Sequence, residues 1–191
     1  MGREVEWKYR AGPEVLAAIY QQYIGWKTII METTYFDTPL GELEKRKWML
    51  RRRLENGAAV TTVKIPLPDG SRGEWETAGS PPDTIVELCK LGAPSELMSL
   101  TREGLEEACC AKFTRLAALV ELPRCSVELA LDQGSFFAPD REAPFAELEV
   151  ELKTGLEADA AAFAASLARQ YRLEPEPKSK AQRAMALRGK K

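Results

Sequence analysis

Histidine is absent from all 191 residues of the chain. That omission removes hydrolases that deprotonate a serine or cysteine with an imidazole, histidine-ligated metal sites and phosphohistidine transfer. Long apolar runs are also missing, and stretches such as residues 160–165 are far too short to cross a bilayer. The amino terminus lacks the basic-then-apolar pattern of a signal peptide, so the expected compartment is the cytoplasm. Only four cysteines occur (Cys89, Cys109, Cys110 and Cys125), without zinc-ligand spacing or a disulfide framework, as suits small buried thiols in a reducing environment. Neither sign of charge dominates. With 27 basic and 29 acidic residues the net charge is −2, which gives no general attraction for nucleic acid. No internal repeat or low-complexity tract is present.

What remains is a chain 45% apolar, of a length that suits one domain, 1–191, with a core able to stand without staples. Chemistry is left to carboxylates, lysine, arginine, tyrosine or a metal held by oxygen. Alternation predicts a strand over residues 3–10, and further candidate strands follow at 48–55, 59–67, 72–78, 113–122, 125–132 and 145–153. A β-branched and aromatic stretch ending at Pro39 predicts another over 26–38. Asn56-Gly57 and Asp69-Gly70 are hairpin turn signals. Helices are expected at 14–23, 83–91, 101–109 with Thr101 as cap, 156–171 and 179–187 with Ser179 as cap. Eight strands joined largely by tight turns point to an α+β protein built on an eight-stranded antiparallel closed β-barrel, with the helices packed outside.

The charged residues take one face of each strand. Glu4, Glu6, Lys8 and Arg10 alternate with Val5, Trp7 and Tyr9; Arg51 and Arg53 alternate with Leu50 and Leu54; Thr62 and Lys64 with Val63 and Ile65. Arg72, Glu74 and Glu76 flank Trp75, Glu128 and Asp132 share a face, and Glu147, Glu149, Glu151 and Lys153 alternate with Leu148, Val150 and Leu152. Taken strand by strand, such faces are the solvated outside of a sheet. Taken together they are segregated, arginines on one strand and glutamates on another, and like charges so aligned need a partner strand or a ligand. Facing inward, they make a tunnel with an acidic and a basic wall. Paired carboxylates without histidine suit Mg²⁺ or Mn²⁺, and arginines with lysines suit phosphoryl oxygens, so the two together point to a metal-bound polyphosphate.

Glu4-Val5-Glu6-Trp7-Lys8 resembles the amino-terminal Glu-x-Glu-x-Lys signature of the CYTH superfamily, the triphosphate tunnel metalloenzymes. The stretches TTYFDTP (33–39), MLRRRLENG (49–57), TTVKIP (61–66), RGEWE (72–76), VELALDQGSF (127–136), FAELEVELKTG (145–155) and SKAQRAMAL (179–187) follow in the family's order. The resemblance covers essentially the whole chain and implies an eight-stranded tunnel. It implies Glu4, Glu6, Glu147 and Glu149 as metal ligands, with Glu151 replacing Glu147 if the register shifts by two. It implies Lys8, Arg51, Arg53, Lys64, Arg115, Lys180 and Arg183 as the cations that bind triphosphate. Glu74 and Glu76 either orient arginines or touch metal, and Asp132 is expected behind the ligands.

The resemblance further implies a family of inorganic triphosphatases, thiamine triphosphatases and class IV adenylate cyclases. Among these, hydrolysis of inorganic triphosphate asks least of the sequence, which shows no base-recognition motif. One metal would bridge phosphoryl oxygens and a second would hold the attacking water. A glutamate, with Glu4 as candidate, would take its proton, and Lys8 or Lys64 would protonate the leaving oxygen. A thiamine site would want a ring platform, for which Trp26, Trp48 and Trp75 are the candidates. The rival from another class is a noncatalytic polyphosphate- or nucleotide-binding module, which could dispense with part of the acidic wall. The expected partner is inorganic triphosphate or another triphosphate-bearing small molecule, with neither nucleic acid nor membrane.

Overall fold

The computed structural model describes residues 5–67 and 72–188. Its elements begin with β1 (Glu6–Arg10), α1 (Pro13–Gln22), β2 (Lys27–Asp37), α2 (Glu42–Lys45), β3 (Met49–Glu55), β4 (Ala58–Pro66) and β5 (Arg72–Ala78). They continue with α3 (Ile85–Lys90), α4 (Glu96–Leu100), β6 (Glu106–Glu121), β7 (Cys125–Ala138) and β8 (Arg141–Gly155). The chain finishes with α5 (Glu157–Tyr171), β9 (Glu174–Pro175) and α6 (Lys180–Leu187). The fold is therefore α+β. The strands form one sheet in the order β5-β4-β3-β2-β6-β7-β8-β1-β9, and β1–β8, β1–β9, β2–β3, β3–β4 and β4–β5 are antiparallel pairs. No described helix is long and apolar enough to cross a membrane.

The eight expected strands are present, and a ninth, β9, adds two residues to the edge of β1. Asn56 and Gly57 both have positive φ, 48° and 89°, the conformation that lets a two-residue turn follow the twist of β3 and β4. The turn expected at Asp69-Gly70 lies outside the described residues. The helix expected at 101–109 is not formed. Gly104, at φ 114°, occupies a conformation that stops a helix, and the Glu- and Ala-rich stretch after it enters β6, sheet pairing overriding helix propensity. The helix lies earlier, as α4, and Thr101 closes it instead of opening it: its hydroxyl donates to the Leu97 carbonyl at 2.9 Å. Unexpected from the sequence is α2. The buried Asp37 carboxylate organises it, accepting the backbone N–H groups of Thr38, Leu43 and Glu44 at 2.7, 2.9 and 3.2 Å.

Contacts divide the chain into two compact units. The first comprises residues 1–29, 113–135 and 144–179. Its core takes Leu16 and Ile19 from α1, Val127, Leu129 and Leu131 from β7, Leu148 and Val150 from β8, and Ala160, Ala164 and Leu167 from α5. The α5 residues recur at i, i+4 and i+7, one helical face, while the strand residues recur at i+2, one face of the sheet. Burying each Leu or Val here stabilises by about 1.5–3 kcal/mol. The second unit comprises residues 30–112, 136–143 and 180–191. Phe36, Leu50, Val63 and Ile65 pack there against Leu43 of α2, Ile85 and Leu88 of α3 and Leu97 of α4. Each unit thus spends one strand face on its core and keeps the other for polar side chains.

Candidate functional site

In the first unit, β8 turns the fully buried Leu148 and Val150 to the core, which puts Glu147, Glu149 and Glu151 on the other face. By the same rule Val127, Leu129 and Leu131 of β7 leave Glu128 and Asp132 opposite the core. One carboxylate oxygen from each of Asp132, Glu147 and Glu149 lies within 4.8 Å of the others. Asp132 and Glu147 have no solvent exposure. Arg115, from β6, enters this cluster. Its Nε donates to Asp132 Oδ1 at 2.8 Å, and its Nη2 to Asp132 Oδ2 at 2.7 Å and to Glu149 Oε2 at 2.5 Å. Burial alone would lower the guanidinium pKa, but the hydrogen bonds and charges of Asp132 and Glu149 outweigh it and hold the pKa above its ordinary value. Arg115 is cationic at every workable pH.

The β1–β8 register sets Lys8 opposite Glu149 and Glu6 opposite Glu151. Lys8 Nζ lies 3.8 Å from Glu6 Oε1. Glu151 is 2.9 Å from Lys153, whose amine also lies 3.6 Å from Glu128. Of the two glutamates that the sequence left open, Glu147 is the one clustered with Glu149, and Glu151 is engaged by Lys153. Glu4 lies outside the described residues.

The second unit gathers cations. Arg51 and Arg53 stand on the face of β3 opposite Leu50, and Tyr35 and Thr33 of β2 oppose them. On the other side, β4 sets Thr62 opposite Arg51, and β5 sets Glu76 opposite Thr62 and Glu74 opposite Lys64. Lys64 Nζ reaches Glu74 Oε2 at 2.8 Å, while Arg51 Nη2 is 4.0 Å from Glu74 Oε1. Arg53 Nε is 2.9 Å from Glu55 Oε1 without the alignment of a hydrogen bond. The Nε atoms of Arg51 and Arg53 and the Thr62 hydroxyl are buried and have no hydrogen-bond partner among the described residues. From α6, Lys180 and Arg183 share the i, i+3 spacing, and the Arg183 guanidinium lies 4.9 Å from the centre of the Phe136 ring. Burial pushes the Tyr35 hydroxyl up to about 12, against the opposing pull of Arg51, Lys180 and Arg183.

Each set has definite chemical capacity. The cluster of Asp132, Glu147 and Glu149 offers oxygen donors only, the set a hard divalent cation takes. A carboxylate carries about four lone-pair sites, so accepting from Arg115 does not exhaust Asp132 or Glu149, and the cluster fits such a metal. The cation set offers donors for an oxyanion. Sequence reasoning placed Asp132 behind the expected ligands, and its carboxylate lies within 4.8 Å of those of Glu147 and Glu149. The clue was its place on the same β7 face as Glu128. Tyr35 was read as a strand former and as part of the TTYFDTP stretch, with no role of its own. Trp48 and Trp75 pack against the core of the second unit, and Trp26 stacks on Tyr20 with ring centres 5.6 Å apart and donates its N–H to the Tyr20 and Tyr23 carbonyls.

Comparison with known proteins gives these sets a context. The family described as the CYTH domain matches residues 2–185. The chain is 30% identical over 201 residues to an inorganic triphosphatase of Haemophilus influenzae, an alignment covering all of this chain and 56% of that protein. The chain therefore spans little more than half the length of that relative. Among solved structures, a Bacillus halodurans protein described as a candidate adenylate cyclase aligns with a TM-score of 0.59 at 23% identity, covering 94% of this chain and 96% of that one. HpAC1 of Hippeastrum, a candidate adenylyl cyclase described as having a dominant triphosphatase activity, aligns with a TM-score of 0.62 at 18% identity, covering 96% of each. At these identities the two structures speak for the fold alone.

Proposed function

Because the chain belongs to the CYTH domain family, we propose that it is a divalent-metal-dependent hydrolase that splits inorganic triphosphate with water into pyrophosphate and phosphate. Support comes chiefly from the oxygen-only cluster of Asp132, Glu147 and Glu149, two of whose members have no solvent exposure. In this reading the charged strand faces line a tunnel closed as an eight-stranded barrel, within a single domain in the cytoplasm. Glu147 and Glu149, with Asp132, Glu6 and Glu4, hold Mg²⁺ or Mn²⁺. The bound cation supplies charge for the phosphoryl oxygens and lowers the pKa of a water molecule.

The chain's own side chains do the rest. Arg51, Arg53, Lys64, Lys180 and Arg183 bind the triphosphate and stabilise charge on the transferring phosphoryl group. Arg115 fixes the Asp132 and Glu149 carboxylates and presents its charge beside them. Glu4 takes the proton of the attacking water, and Lys8 or Lys64 delivers one to the leaving oxygen. Inorganic triphosphate is favoured over thiamine triphosphate because Trp48 and Trp75 are committed to a core and Trp26 to Tyr20.

A phosphate-release screen over inorganic triphosphate, ATP and thiamine triphosphate, each with Mg²⁺, Mn²⁺, Zn²⁺ or excess chelator, tests the proposal. Inorganic triphosphate should turn over fastest with Mg²⁺ or Mn²⁺, Zn²⁺ should activate poorly, and chelation should abolish release. Turnover that survives exhaustive metal removal would overturn the mechanism. Faster release from either organic triphosphate would overturn the substrate.

A further inference from the structure

We infer that the Thr62 hydroxyl is a ligand of the bound triphosphate, donating to a phosphoryl oxygen that the Arg51 guanidinium also holds; this rests on the triphosphate reading above. Thr61 and Thr62 are neighbours on β4 and neither has any solvent exposure. Their side chains take opposite faces. Thr61 donates its hydroxyl to the Gly79 carbonyl at 2.8 Å, so its burial is compensated within the fold. The Thr62 hydroxyl has no hydrogen-bond partner among the described residues.

A buried hydroxyl without a partner is unfavourable, and valine has the same shape and an equal preference for strands. The fold therefore gains nothing from oxygen at this position. Its surroundings say what would. Thr62 lies opposite Arg51 on β3, two residues before Lys64 on its own strand, on the face that also carries Arg53. The Nε atoms of Arg51 and Arg53 are buried and, like the Thr62 hydroxyl, lack a hydrogen-bond partner among the described residues. Three unsatisfied groups on one face, two of them cationic donors and the third a hydroxyl free to rotate, are complementary to an oxyanion. A phosphoryl oxygen carries enough lone pairs to accept from the hydroxyl and from a guanidinium together. Glu76, opposite Thr62 on the other side, accepts nothing from it.

The test is calorimetric titration of inorganic triphosphate into the full chain with chelator present, so that binding is read without turnover. Wild type is compared with Thr62→Val and Thr62→Ser, and the melting temperature of each ligand-free protein is recorded. Thr62→Val should bind roughly ten- to hundredfold more weakly, the loss of a hydrogen bond to a charged group. Its melting temperature should be unchanged or higher, and Thr62→Ser should bind within a few-fold of wild type. Equal affinity of Thr62→Val and wild type would overturn the inference and leave the proposed function standing. No binding by wild type itself would overturn both. If Thr62→Val does not fold, Thr62→Ser against Thr62→Ala isolates the same hydroxyl, and equal affinities there would again overturn the inference.

Discussion

Arg115 in the first unit and Arg51 with Arg53 in the second all stand on polar strand faces whose reverse sides fill a core, yet their nitrogens are placed differently. Arg115 directs three hydrogen bonds into Asp132 and Glu149, both close to fully buried. Among the described residues, Arg51 has a carboxylate at 4.0 Å and a buried Nε with no hydrogen-bond partner, and Arg53 has a half-exposed glutamate at 2.9 Å and an Nε likewise without an aligned hydrogen bond. A guanidinium saturated by buried carboxylates is part of the fold, because losing it exposes those carboxylates to a dry environment. One with unmet donors adds little to the fold and keeps its hydrogen-bonding capacity for something that arrives later. Residue type and strand position are the same in both units, and only the cross-strand neighbours separate the roles.

The sharpest way to break this comparison is Arg115→Ala. Removing one partner of a buried ion pair costs about 3–5 kcal/mol, and urea unfolding should show a loss in that range for the ligand-free protein. A loss under about 1 kcal/mol, the size typical of exposed pairs, would place Arg115 in the same class as Arg51 and Arg53.

An intermediate effect is expected from Tyr35, which is buried among the second unit's cations. Its pKa is about 12 when folded and 10.0 in the ordinary state, so between these values the unfolded chain gives up a proton that the folded chain keeps. Stability from this group is therefore complete below pH 10 and falls as pH rises toward 12, by about 3 kcal/mol in all. In unfolding free energies measured across that window, wild type should lose ground to Tyr35→Phe as pH rises. Parallel curves would mean that the cations cancel the effect of burial and leave Tyr35 ionising as it does in the unfolded chain.

The smallest effect on the fold belongs to Arg53→Ala. Ligand-free stability should change by no more than about 0.5 kcal/mol, as for a surface substitution. Affinity for inorganic triphosphate should fall roughly tenfold or more, as a charge-assisted hydrogen bond is lost. Destabilisation comparable to that of Arg115→Ala would erase the distinction between the units.

Much of this arrangement was legible before the fold was known. A strand has only two faces, so Glu147, Leu148, Glu149 and Val150 sort themselves once alternation is recognised, and Asn56-Gly57 identifies its turn because few residues accept two successive positive φ values. The start of β6 was not legible. Glu106 to Cys110 have the local preferences of a helix, and what makes them a strand is pairing with residues far along the chain. The same limit hid the partners of Arg115, because no local pattern states which carboxylates β7 and β8 will bring beside β6. Asp37 was read as the end of a strand, and its role in forming α2 depends on amides up to seven residues away.

The division of the chain into interleaved segments also bears on how the protein is made. The chain passes between the two units at five points, and four of them fall inside β2, β6, β7 and β8. No single continuous piece of the chain can contain either unit whole without also carrying most of the other. On the ribosome the first unit lacks its last segment until residue 179 has emerged, and the second still awaits α6. Folding of both must therefore await synthesis through α6, and a nascent chain stalled before α5 would leave the apolar face of β7 and β8, which α5 covers, open to whatever chaperones attend it.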